Sequence, residues 1–196
     1  MHFKGSFFSR FGFVPRQIER LQNVHLRRAY EAQKKHICHK NKQRVEAGEK
    51  LLYHGTTQDN CDSIGKTGFN RSFSGQNGTT YGQGTYFAVD ASYSANLTYS
   101  APAPDGSQLM FVVRVATGIY TRGQSNMRTP PTRGGQHSHE RYDSVVDNTD
   151  HPSMYVVFHD NQAYPDYLIT FKMQILLFYL VDICICFGTE KDGLHI

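Results

Sequence analysis

The leading part of the chain carries apolar residues with the spacing of a helix. Within residues 16–44 an apolar face is formed by Ile18, Leu21, Leu26, Ala29, Tyr30 and Ile37. This spacing predicts one or two helices that begin after Pro15, where a missing N–H costs nothing in a first turn, and end near Gly48. Residues 1–15 are apolar and contain glycine without a regular period, so we expect an irregular lead-in.

From residue 51 onward the pattern becomes one of short apolar runs bounded by Gly, Pro, Asn and Asp. These runs predict six strands, at Leu51–Tyr53, Thr85–Ala88, Leu109–Val115, Tyr142–Val146, Met154–Phe158 and Tyr167–Phe171. Long helical crossovers are missing between them. Parallel strands need such crossovers, so an antiparallel α+β arrangement is predicted rather than a doubly wound sheet.

Two short helices and two long loops are expected between these strands. The loops are the Gly/Ser/Asn-rich residues 70–84 and the Gly/Pro/Arg-rich residues 121–140. Long ordered loops in a compact domain usually have a function. The helices are predicted to run through Ile64, closed by Gly65 or Gly68, and from a cap at Asp90 or Ser92 to about Tyr99.

Charge and cysteine usage narrow the class of protein. Residues 1–50 hold 12 Lys and Arg against 4 Asp and Glu, a net +8, whereas residues 51–196 hold 9 against 13, a net −4. A basic segment can bind nucleic acid, but its interleaved Glu and its lack of base-stacking aromatics favour a solvated helix face. The four cysteines have no zinc-ligand spacing, and residues 1–15 lack a signal-peptide core. We therefore expect an intracellular protein, in the cytoplasm, the nucleus or both, with free thiols and no membrane partner.

Two local motifs are weak when each is taken alone. His54-Gly55 stands at the end of a predicted strand, and Gly82-Gln83-Gly84 superficially resembles a dinucleotide fingerprint. A third glycine at the required spacing and a strand feeding a helix N-terminus are both missing. A Rossmann interpretation is therefore excluded.

Taken together, four separated motifs point to one family. They are IERLQNVHLRRAYEAQKK, LLYHGTT, YGQGTYFAVDASYSAN and QAYPDYLITF. In order and spacing they resemble the catalytic domain of the poly(ADP-ribose) polymerase-type ADP-ribosyltransferases, most closely the macrodomain-containing mono-ADP-ribosyltransferase members. The resemblance covers about Ile18 to Phe171 and departs from the family where a Trp often follows the first motif. It implies a split antiparallel sheet with flanking helices around an NAD-binding cleft.

The resemblance also implies a set of site residues for NAD⁺. His54 matches the histidine that bonds a ribose hydroxyl, and Tyr86 matches the tyrosine that stacks on the nicotinamide ring. Gly55 and Ser94 match the residues that hold the carboxamide. The remaining cofactor-binding residues are Thr56, Tyr93 and Tyr99, and residues 70–83 correspond to the loop that closes over the dinucleotide.

The third catalytic position departs from the chain-extending members of the family. Those members carry a glutamate where this sequence has Met154. Methionine accepts hydrogen bonds poorly and has no charge, so it does not activate a second acceptor sugar. Asp166 is acidic but out of register with this position. The resemblance therefore implies transfer of one ADP-ribose unit from consumed NAD⁺ to protein acceptors, without a metal; the alternative is an inactive module that binds NAD⁺ or ADP-ribose.

The end of the chain falls outside the resemblance. Residues 173–196 contain a run of about fourteen apolar residues interrupted by Asp182, which is too short to span a bilayer. We expect a catalytic domain over residues 16–172 followed by an atypical apolar tail.

Overall fold

The computed structural model describes residues 13–42, 48–71, 79–135 and 139–173. The described residues contain eight strands, three α-helices and a short 3₁₀ helix at Asp160–Gln162. The strands are β1 (Phe13–Arg20), β2 (Glu49–Thr56), β3 (Thr85–Ala88), β4 (Gln108–Ala116), β5 (Tyr120–Arg122), β6 (Ser144–Val146), β7 (Met154–Val157) and β8 (Ala163–Met173). The helices are α1 (Val24–Lys40), α2 (Gln58–Thr67) and α3 (Ala91–Ser94).

All the strands join one sheet in the order β1-β8-β4-β2-β3-β7-β6-β5. Every neighbouring pair is antiparallel except β5 and β6, which are parallel. In the centre, β2 and β3 are joined by one residue pair, Tyr53 with Ala88. The sheet therefore divides there into two halves of four strands. The predicted α+β class with a split antiparallel sheet is confirmed.

Strand β4 lies inside its half of the sheet and is covered on both faces. Phe111, Val113 and Val115 point into the larger apolar cluster, which also contains Cys61 of α2. Met110 and Val112 point into a second cluster on the other face. A strand buried on both sides is apolar at nearly every position instead of alternating, as the sequence Leu109–Val115 is. Each such side chain contributes about 1.5–3 kcal/mol of burial.

The prediction of a helix from residue 16 is wrong for its first residues. Residues 13–20 form β1, an edge strand that pairs with β8 and has a bulge between Pro15 and Gln17. An edge strand at a bulge tolerates proline, because no ladder hydrogen bond is lost there. Ile18 is 41% exposed and does not belong to a helix face.

The helix itself begins at Val24, where the sequence provides a cap. The Asn23 side chain accepts hydrogen bonds from the backbone N–H groups of His25 and Leu26, at 3.1 and 3.2 Å. These groups have no partner within a helix, so an Asn cap stabilises the first turn by about 1 kcal/mol. Tyr30 and Ile37 are buried as predicted. The helix ends at Lys40, and the predicted residues 43–44 lie outside the described part.

Several shorter elements match their predictions and others differ in length. The strand Thr85–Ala88, the Asp90 cap and the closing Gly68 are confirmed. Strand β2 continues through Thr56, β8 begins at Ala163, and β6 begins at Ser144. The helix expected to reach Tyr99 ends at Ser94 and gives way to turns, and the first two residues of the second predicted loop belong to β5. Residues 72–78 of the first loop lie outside the described part.

The predicted domain boundaries shift slightly at both ends. Residues 13–15, assigned to the lead-in, belong to β1, and Met173, assigned to the tail, is the last residue of β8. The rest of the predicted tail, residues 174–196, lies outside the described residues. None of the helices in the described part is long and apolar enough to cross a membrane.

Candidate active site

A cavity of about 310 Å³ opens where β2 and β3 separate. This volume lies at the lower end of the range for small-molecule sites. All eight residues that the sequence predicted for the site line this one cavity: His54, Gly55, Thr56, Tyr86, Tyr93, Ser94, Tyr99 and Met154. The split in the sheet therefore brings together residues of two of the four motifs, LLYHGTT and YGQGTYFAVDASYSAN, with Tyr99 and Met154.

His54 is held in one tautomer by the strand across the split. Its Nδ1 lies 2.8 Å from the backbone carbonyl of Tyr86. A carbonyl oxygen can only accept, so Nδ1 carries the hydrogen and Nε2 is left as an acceptor. The ring packs against Phe69 and Phe87, at centroid distances of 5.1 and 5.6 Å. Burial disfavours the imidazolium and lowers the pKa of His54, against a smaller opposing effect of the Tyr86 carbonyl.

Tyr86 lies on β3, with its ring on the cavity and its hydroxyl in the loop before the strand. The hydroxyl accepts a hydrogen bond from the Tyr81 backbone N–H at 2.9 Å and donates one to the Gly82 carbonyl at 2.8 Å. Burial raises the pKa of Tyr86, so the phenol stays protonated and able to donate. The hydroxyl is thus engaged within the protein.

Tyr93 and Tyr99 form a stacked pair at the rim of the cavity. Their ring centroids lie 5.1 Å apart with an interplanar angle of 19°, and their hydroxyl oxygens are 2.9 Å apart. The hydrogen bond to Tyr99, with burial, raises the pKa of Tyr93 to about 12. Tyr93 is 46% exposed, so it backs the Tyr99 ring from the solvent side.

Gly55 is required by the packing of β2 against α3 and the turn that follows it. A Cβ added here would lie 2.2 Å from the backbone carbonyl oxygen of Ser94 and 2.9 Å from the Tyr99 Cβ. Real Cβ atoms do not approach that closely, so any side chain would push α3 and its following turn away from β2. Gly55 therefore allows Ser94, which is buried, to lie at the cavity wall.

Met154 opens β7 at the cavity and is 6% exposed. The carboxylate of Asp147 accepts from the backbone N–H groups of Ser153 and Met154, both at 3.0 Å, and from the Ser153 hydroxyl at 2.5 Å. These bonds lower the pKa of Asp147 against its desolvation, and they hold the start of β7. Asp147 therefore fixes the Met154 backbone, and it does not line the cavity.

No carboxylate is among the described residues that line the cavity. Asp166, the other acidic candidate in the sequence, is buried elsewhere and bonds the Arg114 Nε at 2.8 Å. The described residues also contain no group of three His, Cys, Asp or Glu able to hold a metal ion.

Part of the cavity wall was not predicted from the sequence. The polar residues Thr57, Asn60 and Ser63 of the α2 segment line the cavity. Positions 57, 60 and 63 are three residues apart and share one helix face, a spacing that was available in the sequence. Phe69 also lines the cavity outside that prediction, whereas the lining residues Thr80 and Tyr81 belong to the predicted loop of residues 70–83.

The model of the poly(ADP-ribose) polymerase catalytic domain family matches residues 14–173. The chain belongs to this family. Its members use NAD⁺ as substrate. The match runs from the second residue of β1 to the end of β8 and includes every residue that lines the cavity.

Several curated proteins are similar to the chain. It is 49% identical to protein mono-ADP-ribosyltransferase PARP14 of Homo sapiens over 156 residues, which is 80% of this chain and 9% of that protein. It is 43% identical to protein mono-ADP-ribosyltransferase PARP10 of Mus musculus, over 80% of this chain and 16% of that protein. The mouse PARP12 protein is 40% identical, over 83% of this chain and 22% of its own length. The chain thus spans less than a quarter of these relatives.

Proposed function

We propose that this domain transfers a single ADP-ribose unit from NAD⁺ to protein acceptors and releases nicotinamide. The observation that carries the proposal is a cavity that combines His54 and Tyr86 with Met154 and is lined by no carboxylate among the described residues. The names of the relatives, all mono-ADP-ribosyltransferases in the three cases above, support it.

In the proposed complex each lining residue has a role that fits its geometry. The free Nε2 of His54 accepts from a ribose hydroxyl, since its Nδ1 is occupied by Tyr86. Nicotinamide stacks between the rings of Tyr86 and Tyr99, which attract a cationic ring through dispersion and cation–π interaction. The Gly55 backbone and the Ser94 hydroxyl hold the carboxamide, and Thr56 and Tyr93 complete the subsite.

The transfer reaction then depends on how NAD⁺ and the acceptor are positioned more than on a strong base. The bond between the ribose C1′ and the nicotinamide nitrogen breaks, nicotinamide leaves as a neutral molecule with the electron pair, and positive charge develops on the ribose. A nucleophile on the acceptor protein attacks C1′ and loses its proton. Met154 cannot take a proton from a sugar hydroxyl, so the transferred unit is not extended.

Product length is the direct test. The chain incubated with NAD⁺ and candidate acceptor proteins should give adducts of one ADP-ribose unit, read by intact-mass spectrometry and by gel. Met154→Glu is the matched variant, and we expect more NAD⁺ hydrolysis from it without polymer. A polymer ladder from the unaltered chain would contradict the proposal. NAD⁺ binding without any adduct would instead support the inactive module.

The pH profile tests the role of His54. Because burial lowers its pKa, the neutral form that accepts through Nε2 persists below the usual histidine range. We expect kcat/KM for NAD⁺ to stay level as pH falls from about 8 to about 6.5, and to fall only at lower pH. A decline centred at or above about 6.5 would show that the essential group is not a buried, neutral His54.

The proposal also covers the cellular compartment and the bounds of the catalytic domain. Cys38 and Cys61 are free thiols, which suits an intracellular protein of the cytoplasm or nucleus. We propose residues 13–173 as the catalytic unit, slightly wider than the sequence predicted.

A further inference from the structure

The segment before β3 forms part of the cavity wall and is held at several points. Thr80 and Tyr81 line the cavity. Just beyond them, the Gln83 backbone N–H donates to the Met127 carbonyl at 2.7 Å, and the Gln83 side chain accepts from Arg128 at 3.2 Å. This end of the segment is therefore fastened to the turn after β5.

Two glycines allow the same segment to approach its neighbours closely. A Cβ on Gly82, whose φ is +137°, would lie 2.7 Å from the Phe158 ring, and one on Gly123 would lie 2.2 Å from the Tyr81 carbonyl oxygen. The backbone of residues 81–82 thus lies tightly between Phe158, which follows β7, and the turn after β5. Small displacements of this backbone change the shape of the cavity, because Tyr81 is one of its walls.

The backbone of Tyr81 and Gly82 is also held by a residue inside the site. The Tyr86 hydroxyl accepts a hydrogen bond from the Tyr81 backbone N–H and donates one to the Gly82 carbonyl. These two hydrogen bonds hold the backbone of residues 81–82 against the Tyr86 side chain. The carbonyl of the same Tyr86 fixes the His54 ring. One residue therefore orients two other parts of the cavity, with its backbone on one side and its hydroxyl on the other.

We propose that the Tyr86 hydroxyl is a positioning group for NAD⁺, which clamps residues 81–82 so that Thr80 and Tyr81 form the cavity wall. This role is separate from that of the ring, which stacks on nicotinamide, and it rests on the proposed function of the cavity. Phenylalanine at this position would keep the ring and lose the clamp.

Tyr86→Phe tests the clamp without relying on activity. In the 196-residue chain labelled with ¹⁵N, the Tyr81 amide should exchange with deuterium about 5- to 30-fold faster than in the unaltered protein, as expected for the loss of one or two hydrogen bonds. The matched control is Tyr164→Phe, which removes a phenol hydrogen bond of 3.1 Å to the Leu21 carbonyl, away from the cavity. The control should leave Tyr81 exchange unchanged. Unchanged exchange in Tyr86→Phe would overturn the clamp.

Steady-state kinetics then test the consequence for NAD⁺. Tyr86→Phe should raise KM for NAD⁺ by about 5- to 30-fold and change kcat much less, whereas general destabilisation would lower the active fraction and leave KM unchanged. Faster exchange with an unchanged KM would overturn the positioning role. If the unaltered chain shows no transfer, the proposed function has failed. The NAD⁺ dissociation constant from calorimetry then replaces KM, and an unchanged constant in the variant would overturn the inference.

Discussion

His54→Asn is expected to lower kcat/KM for NAD⁺ roughly 100-fold, the loss that follows when a substrate is no longer held in its reactive geometry. The Asn amide can still donate to the Tyr86 carbonyl, as His54 Nδ1 does at 2.8 Å. It has no group at the position of Nε2, so the ribose hydroxyl loses its acceptor. The substitution thus removes the bond to the substrate and keeps the bond to the protein.

Asn is a better test here than Ala. The His54 ring packs on Phe69 and Phe87, so truncation to Ala would leave a cavity in an aromatic cluster and lower stability as well as activity. Asn fills part of the space and keeps one hydrogen bond.

The control for this experiment is His151→Asn, an exposed histidine in the loop before β7. It should leave kcat/KM for NAD⁺ unchanged. Thermal unfolding of all three proteins, followed by circular dichroism, separates a loss of activity from a loss of fold. Activity of His54→Asn within about tenfold of the unaltered chain would show that Nε2 does not bind the reacting sugar.

The elements that were predictable from the sequence are those in which a single local signal determines the structure. Thr85–Ala88 lies between a Gly-rich loop and the Asp90 cap, and both of its ends were found. Strand β1 was missed because Ile18 and Leu21 suit a helix face as well as they suit a strand. An edge strand with an exposed Ile18 has no buried alternation to reveal it.

The sequence predicted which residues line the site, but it did not predict how they are arranged in space. The family resemblance named eight lining residues, and all of them meet in one cavity. The single pairing of Tyr53 with Ala88, which opens that cavity, depends on how two halves of a sheet meet and leaves no local pattern. The clamp on residues 81–82 was equally invisible, because it joins a side-chain hydroxyl to backbone groups four and five residues earlier.

Asp143 is a second feature that the sequence did not reveal, since it was predicted only as part of a strand. It is 7% exposed and lies immediately before β6. Its carboxylate pairs with Lys40 and accepts from the Asn41 amide and from the Ile119 backbone N–H, both at 2.8 Å. It therefore joins the end of α1 to the turn between β4 and β5.

The surroundings of Asp143 give little room for rearrangement. Gly118, in the same turn, has a φ of +57°, and a Cβ there would lie 2.3 Å from the Asp143 carboxylate. On the other side, the Asn41 side chain also accepts from Arg133 at 3.1 Å, and Arg133 pairs with Glu140 at 2.8 Å. Loss of the carboxylate would thus affect α1, the turn before β5 and the loop before β6 together.

Asp143→Ala is expected to lower the free energy of unfolding by about 2–4 kcal/mol, because it leaves the part-buried Ile119 N–H and the buried Asn41 amide without their acceptor, and the Lys40 ammonium without its counter-ion. Lys40 is partly exposed and can regain water, which keeps the loss below that of a fully buried ion pair. Urea unfolding measures the change, with Asp150→Ala as the matched control, since Asp150 is an exposed aspartate in the loop between β6 and β7. The control should change stability by less than about 0.5 kcal/mol. A loss below about 1 kcal/mol for Asp143→Ala would mean that water or a neighbouring side chain satisfies these donors. The end of α1 and the turn between β4 and β5 would then be held together by packing and not by the Asp143 carboxylate.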